Sequence, residues 1–91
     1  MRVRIPASLR ANAGPGTVDL AVPAGRTLRR VLDEIDRLVP GALAKLLDQD
    51  GSLRRYVNIY VNGDDIRSAR RLDTVVHDSD EIVIQLAISG G

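Results

Sequence analysis

Leu28, Val31, Leu32, Ile35, Leu38 and Val39 stand three and four residues apart, and this spacing constrains the fold more tightly than any other feature of the chain. At about 3.6 residues per turn it predicts an α-helix with one apolar stripe. Thr27 is placed to cap the start of that helix, and Pro40-Gly41 to stop it. Arg29, Arg30, Asp33, Glu34 and Arg37 fall on the outward side. Asp33, Glu34 and Asp36 have no His or Cys neighbour in sequence, so they read as a solvated helix face and not as metal ligands. One amphipathic helix cannot hide its own stripe; it needs a second apolar surface to cover.

Strands supply that surface. Val3 and Ile5 alternate with Arg2 and Arg4, the pattern of a half-buried strand over residues 2–6. After the breakers Gly14, Pro15 and Gly16, alternation resumes over residues 17–22 with Val18, Leu20 and Val22 on one face. The two segments are expected to form a hairpin. Gly14-Pro15-Gly16 is no phosphate cradle, because a strand follows it where a phosphate loop needs a helix carrying Lys and Ser or Thr. Beyond the helix, residues 42–47 suit a short further turn packed by Leu43, Leu46 and Leu47, and residues 48–52 form a polar loop. That loop lacks the bidentate Glu of a calcium site.

Val57, Ile59 and Val61 then alternate with Asn58, Tyr60 and Asn62 in a central strand, and Asn62-Gly63 turns it back through residues 64–67. Residues 72–76 read as a brief turn-like element with Val75 and Val76 inward. Residues 81–87 close the fold, with Ile82, Ile84 and Leu86 toward the core. Two strands, a helix, then two or three strands is an α+β order: a mixed four- to five-stranded sheet covered on one face by one main helix. This is the β-grasp, ubiquitin-like arrangement, in which the last strand lies centrally beside the first. Residues 1–87 are expected to form the domain, and residues 88–91 a flexible tail.

With 91 residues, 44% of them apolar, the chain has room for one core and no second domain. Cys, Phe and Trp are absent, so that core must be aliphatic, and disulfides, thiolate metal sites and cysteine nucleophiles are excluded. Thirteen basic and twelve acidic side chains leave a net charge of +1 with no block of either sign, which does not suggest a nucleic-acid partner. Arg29-Arg30, Arg54-Arg55 and Arg70-Arg71 read as solvated faces, since two tyrosines offer little base stacking. His77 stands near acids but without a Ser, Cys or metal partner implied by spacing, so a surface histidine is expected. No signal peptide or membrane-length apolar run is seen, and the expectation is a soluble, cytoplasmic protein with no membrane partner.

The chain ends Ile88-Ser89-Gly90-Gly91. A glycine pair has no Cβ, so an extended backbone can enter a channel too narrow for side chains, and the only chemical handle there is the Gly91 carboxylate. Together with the segment R-Y-V-N-I-Y-V-N-G-D-D-I-R over residues 55–67, the terminal I-S-G-G resembles the ThiS/MoaD family of small sulfur-carrier proteins over essentially the whole chain. Within that family the tyrosine-bearing strand followed by D-D-I-R is most similar to carriers of cysteine biosynthesis. Many members have proline before the tail, where this chain has Leu86-Ala87.

The resemblance implies a carrier and not an enzyme, with no bound cofactor, no metal and no catalytic residue of its own. A ubiquitin-activating-like adenylyltransferase would use ATP to adenylate Gly91, and a sulfur donor would displace AMP to leave a thiocarboxylate. In the cysteine branch the acceptor would be a pyridoxal-phosphate cysteine synthase, with a metalloprotease releasing the product. Molybdopterin synthase, thiamine and secondary metabolism are alternative acceptors. A ubiquitin-like modifier joined to lysines through Gly91 is an alternative of another class, and a purely structural module a third. Ile88, Ser89 and Gly90 would be recognised as the tail. By alternation, Asn58, Tyr60, Val83 and Gln85 share the sheet face away from the helix, which makes that face the expected partner surface, with Tyr60 as its anchor.

Overall fold

The computed structural model describes residues 1–10, 16–20 and 26–87. Strand β1 (Arg2–Arg4) is followed by the short helix α1 (Ala7–Arg10), strand β2 (Thr17–Asp19), the two-residue strand β3 (Arg26–Thr27) and the main helix α2 (Leu28–Leu38). Helix α3 (Ala42–Leu46) leads to β4 (Val57–Val61) and β5 (Asp64–Asp65). Two 3₁₀ turns (Ile66–Ser68 and Arg71–Asp73) then precede β6 (Val75–Val76) and β7 (Glu81–Leu86). The main sheet has the order β2-β1-β7-β4-β5, and β3 pairs with β6 in a separate ribbon. Strand β7 is parallel to β1 and antiparallel to β4, so the last strand is central, as the β-grasp order requires.

Alternation decides which side of this sheet is buried. Val3, Val57, Ile59, Ile82 and Ile84 are buried on one face, against Leu28, Val31, Leu32 and Ile35 of α2. The core is aliphatic, as the composition requires. Leu38 departs from the expected stripe and is 52% exposed, whereas Val39 is buried. At about 100° per residue Leu38 lies some 80° from the centre of the stripe, while Val39 falls close to that centre.

Four further expectations need correction. Strand β1 ends at Arg4 and not at residue 6: Pro6 has no N–H for a ladder, its carbonyl accepts from Leu9 N–H at 3.0 Å, and Leu9 is buried in the resulting turn of α1. Val75 is 45% exposed, and only Val76 points inward, because neighbours on a strand face opposite ways. Thr27 does occupy the N-cap of α2, but its side chain makes no capping hydrogen bond; Leu28 N–H instead donates to the Thr74 carbonyl at 2.8 Å. Asp36 is half-buried and accepts from Leu43 N–H at 3.0 Å, so it satisfies a free donor of α3 and is not part of a solvated face. Residue Val22 of the expected second strand and the breakers Gly14-Pro15 lie outside the described residues.

Asn62 and Gly63 both have positive φ, 52° and 87°, the conformation of the two-residue hairpin turn that joins β4 to β5. Asn62 also fastens the sheet. Its Oδ1 accepts from Glu81 N–H at 3.0 Å, its Nδ2 donates to Asp80 Oδ1 at 3.0 Å, and its own N–H donates to the Glu81 carbonyl at 2.8 Å. Burial pushes the Asp80 carboxyl up, but hydrogen bonds from Asn62 and His77 and the charge of His77 outweigh it, holding the group below the usual carboxylate range. Asn62→Ala removes two side-chain bonds and strains a left-handed residue, so stability should fall by about 1–2 kcal/mol in urea denaturation. Part of that difference requires ionised Asp80. It should be fully present above the ordinary carboxylate pKa and shrink as pH falls through the lower folded value.

Candidate functional site: the open sheet face and the root of the tail

Strand β7 carries the chain toward its end, and its pairing fixes where the tail begins. Leu86 stands opposite Val57 on β4, and Ala87 N–H donates to the Tyr56 carbonyl at 2.7 Å, so the backbone is held as far as Ala87. Ile88, Ser89, Gly90 and Gly91 lie outside the described residues.

On the face away from α2, the ladder register brings the expected surface residues together in pairs. Asn58 is opposite Gln85, and Tyr60 is opposite Val83, which is flanked on its other side by Arg4 of β1. Beside the tail root this face forms a shallow groove of about 650 Å³, lined by Arg4, Pro6, Thr17, Asn58, Val83, Gln85 and Ala87 among others. Tyr60 is half-buried and does not line the groove.

Two contributors escape the alternation argument. Arg67 Nη1 donates to Asn58 Oδ1 at 2.9 Å and its Nη2 to the Val57 carbonyl at 2.7 Å, while Asp65 Oδ1 caps the Arg67 N–H at 2.9 Å. Asn58 is thereby oriented, its amide oxygen taken up by Arg67. Tyr56 is 44% exposed at the tail root. Extending the parity of Asn58 and Tyr60 back by one pair of residues would have marked it; the Arg67 contact has no comparable signal in sequence. His77 is an exposed histidine whose backbone N–H donates to Asp80 Oδ2 at 2.8 Å. Among the described residues, no group of three or more His, Cys, Asp or Glu is placed to hold a metal ion. Nor is any helix long and apolar enough to cross a membrane.

A five-stranded mixed sheet with a central C-terminal strand, one covering helix and a groove beside the strand's exit defines a ubiquitin-like β-grasp protein. The chain belongs to the ThiS family, whose model matches residues 3–91. It is 36% identical to the sulfur carrier protein CysO of Mycobacterium tuberculosis, over 98% of this chain and 96% of that one. Its fold is similar to the CysO structure in the BexX/CysO complex of Amycolatopsis orientalis, with TM-score 0.84 and 33% identity, covering 99% of this chain and 98% of that chain. It is also similar to small archaeal modifier protein 1 of Methanosarcina acetivorans, with TM-score 0.78 and 31% identity over 99% and 94% of the two chains.

If the open face docks a partner, Tyr60→Ala should weaken that complex by roughly tenfold while leaving the melting temperature nearly unchanged. Calorimetric titration against a protein found to bind this chain checks this, and equal affinity would remove Tyr60 from the surface.

Proposed function

We propose that this protein is a sulfur carrier, not an enzyme, whose Gly91 carboxylate is converted to a thiocarboxylate that delivers sulfur for cysteine biosynthesis. The observation that carries the reading is a family match that runs through Gly90-Gly91 on a chain akin to a named sulfur carrier. The held root at Ala87 supports it physically, since an anchored root presents the last four residues to a partner from a fixed point.

The chemistry asks little of the carrier. A carboxylate resists nucleophiles. When a carboxylate oxygen of Gly91 attacks the α-phosphorus of ATP in an activating enzyme, pyrophosphate leaves and an acyl adenylate forms. A hydrosulfide ion supplied by the sulfur source then attacks the acyl carbon, the C–O bond to the phosphate breaks, and AMP departs with the bonding electrons. The thioacid product ionises readily, which gives a sulfur nucleophile at neutral pH. Gly90 and Gly91 admit the tail to a narrow channel, with Ile88 and Ser89 recognised behind them. Asn58, Tyr60, Val83 and Gln85 meet the partner's surface. A pyridoxal-phosphate synthase is the proposed acceptor and a metalloprotease the releasing enzyme; the A. orientalis relative was itself solved in a complex with BexX.

The test is incubation with the cognate activating enzyme, ATP and a sulfur source, followed by intact-mass measurement. Exchange of one oxygen for one sulfur is expected, and its absence with every candidate cognate enzyme would overturn the reading. Likeness to the archaeal modifier favours a second reading, conjugation to lysines through Gly91. Ladders that survive boiling in denaturant with reductant would identify it.

A further inference from the structure

Four arginines from two distant parts of the chain, Arg29 of α2 and Arg67, Arg70 and Arg71 around the two 3₁₀ turns, line one cavity of about 260 Å³. We propose that this cavity binds a phosphate group, either free or carried as a small phosphate monoester. The groove at the tail root shares none of its lining residues.

The cavity is built and not merely crowded. Arg29 lies in the first turn of α2 and donates through Nη1 to the Gly51 carbonyl at 3.2 Å, which fixes its guanidinium over the loop and leaves its other donors unassigned. Arg67 is held by its bonds to Asn58 and Val57. Arg71 has φ 54°, a left-handed backbone that is uncommon for a long side chain. That conformation is locked by Thr74, whose hydroxyl donates to the Arg71 carbonyl at 2.7 Å and accepts from Arg70 N–H at 3.2 Å. Among the described residues, the guanidinium groups of Arg70 and Arg71 form no ion pair or side-chain hydrogen bond. Two unpaired forks beside two anchored ones, at a helix first turn that contains no acid, form a place where an anion is favoured.

Asp50 and Asp73 line the same cavity and Asp65 stands 3.9 Å from Arg67 Nη1, so four cations meet three anions and the excess is one positive charge, carried by the unpaired Arg70 and Arg71 side and enough to attract one phosphate group. The Asp50 and Asp73 carboxylates are acceptors only. They would repel a bare polyanion but receive hydroxyl donors, which favours a phosphate borne on a small polyol over free phosphate.

Amide and arginine Nε–H NMR titration of the full chain tests this, with sodium phosphate and glycerol 3-phosphate as probes and sodium chloride matched in ionic strength. Saturable shifts confined to Arg29, Arg67, Arg70, Arg71 and Ser52 are expected, tighter with the ester; equal or tighter binding of inorganic phosphate would assign the site to the free ion. Arg70→Gln and Arg71→Asn should each weaken binding at least tenfold, Asn being chosen because it tolerates the left-handed backbone. Arg55→Gln, outside the cavity, should not. Shifts that merely follow ionic strength, match those in chloride, or survive both cavity substitutions in well-dispersed spectra would overturn the proposal.

Discussion

One residue added after Gly91 is expected to abolish sulfur loading while leaving the fold untouched. An extra residue moves the terminal carboxylate about 3.5 Å along an extended chain. In-line attack on a nucleotide phosphate does not tolerate a displacement of that size, and a loss of at least about 10²-fold follows. The fold should be indifferent, because the last backbone hydrogen bond seen on β7 is made by Ala87 and the buried part of the strand ends earlier, at Ile84. Intact mass after reaction with activating enzyme, ATP and a sulfur source measures the loss, and the melting temperature provides the control. Gly90→Ala separates the two demands on the tail. It preserves the carboxylate chemistry but adds a Cβ where a channel would fit glycine alone, so a severe loss there and a milder one for Ser89→Ala are expected. Extended protein that still acquires sulfur would sink the Gly91 assignment.

The parts of this architecture that were legible in sequence are those whose cause is periodic. Val57, Ile59 and Val61 set the face of β4, Ile82 and Ile84 that of β7, and the two strands meet in the register that places Asn58 against Gln85 and Tyr60 against Val83. A period needs length to be seen. The four residues of α1 and the pairs that make β3 and β6 carry none, and their structure comes from tertiary pairing: Thr27 against Val75, and Leu9 drawn into the core. Long-range polar contacts are hidden for another reason. Nothing in V-N-G announces that Asn62 will grip Asp80 and Glu81, nor in D-D-I-R that Arg67 will orient Asn58. The arginine pairs show this most clearly. Read separately they are solvated faces; the β-grasp brings Arg29 of the helix and Arg70-Arg71 of the 3₁₀ segment to one cavity.

The other large effect lies in the core. Ile35→Ala is expected to destabilise the domain by roughly 2–5 kcal/mol, against a total of about 5–15 for a domain of this kind. Ile35 is fully buried at the middle of the α2 stripe, packed in a core that contains no aromatic ring able to shift into the space. The loss combines transfer of the deleted carbons with the cavity left among stiff, branched neighbours such as Val31, Ile59 and Ile84, which relax only in part. In thermal unfolding this corresponds to a fall on the order of 10–30 °C. Leu38→Ala is the matched control. Both residues satisfy the helical spacing, but Leu38 is 52% exposed, so its truncation should change stability by no more than about 0.5 kcal/mol. Equal losses at the two positions would mean that α2 is rotated about its axis from the orientation described, and with it the assignment of the opposite sheet face as the one free to dock.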